Sequence, residues 1–168
     1  MTLSRDRVSG IQQKTEVALH VSNTPGVLAR LLGCLASRTD AVDGWRFYSD
    51  HRQATILLVT MREDTVRQAL RSGGFDCEAS PVVVLEQEHR GGVSAVRLSA
   101  ELRASGIRIL DAYRCGSLRN GALLVLKTTD NAGATVVLEM MNLLETQSLP
   151  IPSDLGIDEV DTAHVGAP

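Results

Sequence analysis

Between Thr15 and Ser22 apolar and polar positions alternate. Val17, Leu19 and Val21 fall on one face and Ala18, His20 and Ser22 on the other, which predicts a half-buried strand. From Pro25 to about Arg38 the period lengthens. Val27, Leu28, Leu31, Leu32 and Leu35 form one stripe, with Arg30, Ser37 and Arg38 opposite, so this segment is helical. Val42 to Ser49, with Trp45, Phe47 and Tyr48, reads as a strand by aromatic content. Asp50-His51-Arg52-Gln53 is its polar turn, and Ala54 to Met61 is an unbroken apolar run suited to a central strand. A second helix follows, capped by Asp64 or Thr65, with Val66, Ala69 and Leu70 facing one way, and Gly73-Gly74 ends it. Phe75 to Ala79 is a short strand, which Ser80-Pro81 breaks.

The order then starts again. Val82 to Glu88 is a strand, His89-Arg90-Gly91-Gly92 a turn, and Val93 to Ser105 a helix closed by Gly106. Ile107 to Cys115 and Ala122 to Thr128 are strands around the turn Arg119-Asn120-Gly121, and Asp130 or Asn131 caps a fourth helix. The halves superpose when Arg30 is set on Arg97, Leu31 on Leu98, Leu35 on Leu102 and Val42 on Ile109, the mark of a duplicated unit. The expected fold class is α+β: two tandem ferredoxin-like βαββαβ modules, each an antiparallel sheet with its helices on one face. The expected division is a flexible arm over 1–14, a first module over 15–80, a second over 81–152 and a loosely held tail over 153–168. Leu149-Pro150-Ile151-Pro152 stands where the second module's fourth strand belongs, and its prolines suit an edge position.

The fourth helix, Asn131 to about Thr146, carries more apolar surface than one sheet covers. Val136, Val137, Leu138, Met140, Met141, Leu143 and Leu144 sweep well past a stripe of roughly 100°. A second subunit or the tail from Leu149 onward must cover the excess; a homodimer is the expected solution, because closed twofold assemblies are the commonest.

The stretch Asn23-Thr24-Pro25-Gly26-Val27-Leu28 joins the first strand to the first helix. Asn23 or Thr24 can cap the helix, and Pro25 suits its first position. Gly26 lets another molecule approach the backbone, where unpaired N–H groups and the positive end of the helix dipole can hold a carboxylate. Pro25 at the first position also implies ordinary helical dihedrals for Gly26, so that alanine there would stabilise the helix.

Composition removes several function classes. The 168 residues are 43% hydrophobic, enough for a packed core. A net charge of −3 without a basic run speaks against nucleic acid, as do aromatics at 3%. No apolar run reaches the length of a membrane span. Cys34, Cys77 and Cys115 are odd in number and form no Cys-x-x-Cys, and Met1 to Lys14 reads as a polar arm rather than a signal sequence, so a cytoplasmic protein with reduced thiols is expected.

Val21-Ser22-Asn23-Thr24-Pro25-Gly26-Val27-Leu28-Ala29, followed by a Leu-rich helix and a hairpin, resembles the ACT domain; so does Leu102-Arg103-Ala104-Ser105-Gly106-Ile107-Arg108-Ile109 in the second half. The resemblance covers about Thr15 to Leu149. It implies a non-catalytic regulatory or sensor protein that binds an amino acid effector at module interfaces, pairs as a homodimer or higher homo-oligomer, and acts on a metabolic enzyme. Carried onto this chain, the ligand-binding candidates are Asn23, Thr24, Pro25, Gly26, Val27 and Leu28. In the second module Arg90, Gly91, Gly92 and Val93 replace the proline-bearing loop; the glycine pair costs ordering entropy, and Arg90 could serve as a carboxylate partner. An alternative within the resemblance is the regulatory small subunit of acetohydroxyacid synthase, which has a similar Pro-Gly-Val-Leu-Ala-Arg run. Against it, Arg38-Thr39-Asp40-Ala41-Val42-Asp43 lacks the glycine and asparagine typical of that subunit.

Nothing in the residues points to an enzyme. Asp40, Asp43 and Glu101 fall on expected loops and exposed faces, where carboxylates solubilise, and Cys34 sits mid-helix as a packing residue. No phosphate loop, dinucleotide glycine pattern or metal-ligand spacing occurs, and no cofactor is expected.

Overall fold

The structure, a computed structural model, describes residues 8–87, 95–117 and 121–147. Along the chain these form β1 (Val8–Ser22), α1 (Val27–Leu35), a 3₁₀ segment (Ala36–Ala41), β2 (Gly44–Ser49), β3 (Gln53–Thr60), α2 (Glu63–Ser72), β4 (Glu78–Gln87), α3 (Ala95–Ala104), β5 (Ile109–Ser117), β6 (Ala122–Thr128) and α4 (Asn131–Gln147). The order of helices and strands follows the hydrophobic pattern except at one place: the two strands expected at Phe75 to Ala79 and Val82 to Glu88 are the single β4.

The sheets do not. Two separate ferredoxin-like sheets were expected; instead the six described strands form one closed antiparallel barrel in the order β1-β3-β2-β5-β6-β4. Two long strands cause this. β1 begins at Val8 rather than Thr15, so Val8 to Lys14, read from the sequence as part of a polar arm, pairs with β4 from Gln87 to Val82. β4 runs unbroken through Ser80-Pro81, where a break was expected. Its pairing with β6 starts only at Val83, so Pro81 sits where that side of the strand has no neighbour to receive a donated N–H. A short seam then closes the barrel, Gly44 pairing with Ser117 and Trp45 with Gly116.

The barrel has apolar packing on both surfaces. Outside, α1 and α2 lay Leu31, Leu35, Val66 and Leu70 over Val17, Leu19, Ile56 and Leu58. The other outer patch sets Leu98, Leu102, Ala134 and Leu138 of α3 and α4 on Val83, Leu85 and Leu126. Inside, Leu57, Val59, Val82, Val84, Leu123 and Val125 meet across the lumen. β3 is therefore buried from Ala54 to Thr60, the signature of a strand covered on both faces.

The fourth helix is capped by Asp130, whose carboxylate accepts the Gly133 N–H at 2.9 Å. Val136, Met140, Leu143 and Leu144 remain exposed on it, while Leu138 and Met141 are in the core. Leu149 to Pro152 and the tail lie outside the described residues. No described helix is long and apolar enough to cross a membrane.

Candidate functional site

The loop between β1 and α1 is tied to the β2–β3 turn. The Asn23 backbone N–H donates to the Arg52 carbonyl at 2.8 Å, and the Asn23 side-chain amide donates to the Asp50 carbonyl at 2.7 Å. Asn23 therefore does not cap the helix, as the sequence suggested; it pins two loops together. The Asp50 carboxylate in turn accepts the Gln53 and Arg52 N–H groups at 2.7 Å each, which holds its pKa below the usual value.

Gly26, not Pro25, sets the entry to the helix. It is the N-cap, with φ 80° and ψ 2°, and no side chain caps α1. The expectation of ordinary helical dihedrals there is corrected: the chain turns through a left-handed residue before Val27, and glycine alone makes that turn without strain. The Val27 N–H folds back to the Thr24 carbonyl at 3.1 Å, and the Arg30 N–H reaches the Gly26 carbonyl at 2.9 Å. Between them, the Leu28 and Ala29 N–H groups have no backbone acceptor among the described residues. These are the orphan donors of a helix start.

Asn23, Thr24, Pro25, Gly26, Val27 and Leu28 line one open groove of about 680 Å³, together with Ala29, Leu32 and Phe47. The six expected residues are thus brought together in space. Ala29, Leu32 and Phe47 were not foreseen. Phe47 was findable, since it alternates with Trp45 on the face of β2 that packs under α1. The groove therefore has backbone donors at one end and an apolar wall from Leu32 and Phe47. A Cβ on Gly26 would meet nothing within 4 Å, so the backbone there is open to a visitor. Arg90, Gly91, Gly92 and Val93 lie outside the described residues.

A second polar constellation fills part of the barrel interior. Glu16 is 3% exposed. Its carboxylate accepts the Tyr113 hydroxyl proton at 2.6 Å and a proton of the Lys127 ammonium at 3.2 Å. Burial, then the Glu16 carboxylate, raise the Tyr113 pKa far above the ordinary phenol value, so the hydroxyl stays a donor. Lys14 lies 3.3 Å from Asp43 and 3.4 Å from Glu86. Asp43, read from sequence as a solubilising loop residue, is instead buried in this interior network. Of the other carboxylates considered, Asp40 pairs with Arg62 at the surface and Glu101 is exposed on α3. Cys34 donates its S–H to the Arg30 carbonyl at 3.2 Å.

No family model and no curated protein matches the sequence. Solved structures share its fold. Protein BT0572 from Bacteroides thetaiotaomicron is similar, with a TM-score of 0.62 at 16% identity over 78% of this chain and 90% of that one. The ligand-free regulatory subunit of aspartate kinase from Thermus thermophilus is similar, with a TM-score of 0.54 at 15% identity over 79% of this chain and 97% of that one. Aspartokinase III from E. coli, in complex with aspartate and ADP, is similar with a TM-score of 0.51 at 19% identity, over 85% of this chain and 35% of that one. At these identities the likeness is one of fold.

Proposed function

We propose that the chain is an ACT-type regulatory protein, non-catalytic, that binds an amino acid in the groove of Asn23 to Leu28 and passes its occupancy to a metabolic enzyme. The observation that carries this is the pairing, in one groove, of the Leu28 and Ala29 N–H donors with the apolar wall of Leu32 and Phe47. Donors at a helix start fit a carboxylate, and the wall fits a side chain. The solved regulatory subunit of aspartate kinase, alike in fold, supports a role in amino-acid metabolism.

Calorimetric titration with the standard amino acids tests the reading. At least one should bind, and Leu32→Asp should weaken it about tenfold or more by putting a charge into the apolar wall that meets the ligand's side chain. Leu32 is partly exposed, so that variant should fold normally. Absence of binding by every amino acid would reject the proposal. Gly26→Ala should lower stability by about 1 kcal/mol, because alanine must hold the left-handed turn, and this can be read as a drop in melting temperature.

The exposed Val136, Met140, Leu143 and Leu144 of α4 support a homodimer built on that helix. Light scattering should give twice the chain mass at micromolar concentration, and Met140→Glu should shift it to the monomer.

A further inference from the structure

Helix α1 carries two apolar stripes, and the core uses only one of them. Val27, Leu31 and Leu35 are buried in the cluster that joins α1 to β1 and β3. Leu28 and Leu32, one turn apart on a neighbouring line of the helix, do not belong to that cluster. Leu28 is half-buried and Leu32 is 38% exposed. Both line the groove at Asn23, where Phe47 of β2 joins them. An apolar side chain left against water adds nothing to folding, so a stripe that lines a groove is a surface suited to an apolar visitor.

The groove is also uncharged. Lys, Arg, Asp and Glu make up 22% of the chain, yet none of the groove's lining residues is one of them. Two charges close by in the fold are engaged with other groups. The Arg30 guanidinium lies over the Phe75 ring, 5.1 Å from its centroid, and the Asp50 carboxylate accepts two N–H groups of its own turn. Of the polar side chains on the wall, the Asn23 amide is committed to the Asp50 carbonyl at 2.7 Å.

These walls choose among amino acids. An ionised ligand side chain finds no counter-charge on them, and a polar one gives up water against Leu28, Leu32 and Phe47 without a partner in return. Each methylene that covers them strengthens binding by up to about fourfold. We propose that the groove selects free amino acids with a neutral, apolar side chain, such as leucine, over those with an amide or acidic one. The selectivity rests on the reading of the groove as an amino-acid site and goes beyond it, because the backbone donors at Leu28 and Ala29 serve any α-carboxylate alike.

Leucine, asparagine and aspartate have side chains of nearly the same size and shape, so together they separate polarity from fit. Calorimetric titration of the full chain with each should rank them in that order. Leucine should bind about tenfold tighter than asparagine or more, and aspartate should be weaker again. Leu32→Lys, at an exposed helical position, sets a cation in the wall. The ratio of leucine to aspartate affinity should then fall about tenfold or more, because the acidic side chain gains a partner and the apolar one loses its cover. Asparagine or aspartate binding to the parent chain as tightly as leucine would overturn the selectivity and leave the amino-acid site standing. A ratio unchanged in Leu32→Lys would put the binding outside this groove and reject both readings. Failure of all the standard amino acids to bind would reject the site and the selectivity with it.

Discussion

Gly44→Ala opens the barrel at its seam. Gly44 is buried where β2 meets β5, and an added methyl group would stand 2.9 Å from Cys115 Sγ, 2.9 Å from Leu123 Cδ1 and 3.0 Å from the Gly116 carbonyl oxygen. The first two neighbours belong to side chains packed in the lumen. The third is backbone of the partner strand and cannot rotate away. Overpacking of a tight core costs about 1–3 kcal/mol, and a clash with backbone places this variant at the upper end. The seam joins only Gly44 with Ser117 and Trp45 with Gly116, so it should part before the longer ladders do. Trp45 is the sole tryptophan, which makes its fluorescence a direct reporter. Burial raises the Cys115 thiol to about pKa 11, partly offset by the Arg46 charge. In the closed barrel it should therefore resist thiol reagents at neutral pH, and in Gly44→Ala it should react. Gly116→Ala is the control, since a Cβ there meets nothing within 4 Å. Equal melting temperatures for the two variants would show that the seam is not closed as described.

Removing the Glu16 carboxylate gives the other large effect. Glu16 stands on β1, while Tyr113 and Lys127 stand on β5 and β6, which are not neighbours of β1 in the sheet. The cluster therefore spans the lumen. Glu16→Leu leaves the Tyr113 hydroxyl buried without its acceptor and the Lys127 ammonium without its counter-charge. Breaking one side of a buried ionic cluster costs about 3–5 kcal/mol, and because the Lys127 side chain is partly exposed to water the lower end, about 3 kcal/mol, is expected here. Glu16→Gln keeps an acceptor for Tyr113 and should cost clearly less. The triple variant Glu16→Leu, Tyr113→Phe, Lys127→Met should recover most of the loss, because no polar group is then stranded. Chemical denaturation of the four proteins measures each step. A Glu16→Leu protein as stable as the parent would mean that the lumen admits enough water to solvate the stranded groups.

The local elements were legible in the sequence because their causes are local. The change of period between Val21 and Val27 marks the passage from strand to helix, and the turn at Asp50 to Gln53 sits where the polar run placed it. The groove was legible for the same reason: six consecutive residues around one turn cannot be far apart. The conformation of Gly26 was not. Proline at the first helical position and glycine at a left-handed cap both fit the string Pro25-Gly26, and the bonds from Asn23 to the Asp50 and Arg52 carbonyls accompany the second.

Sheet closure was the larger misreading, and its signal was present. Ala54 to Thr60 and Val82 to Leu85 are apolar at nearly every position. A sheet with helices on one face and water on the other would alternate along those strands, whereas an unbroken run needs cover on both faces. What covers the second face is a property of the whole chain. β1 and β4 are each long enough to serve both halves, so the two expected sheets become one, and the apolar sides turned away from the helices meet in the lumen. The same closure brings Glu16 to Tyr113 across the lumen. The sequence by itself determined the kinds of local element and the place of the turn that shapes the groove, since both follow from neighbours a few residues apart. Only the tertiary structure decided the barrel and its buried charges, because those depend on pairings between residues that the chain's periodicity does not link.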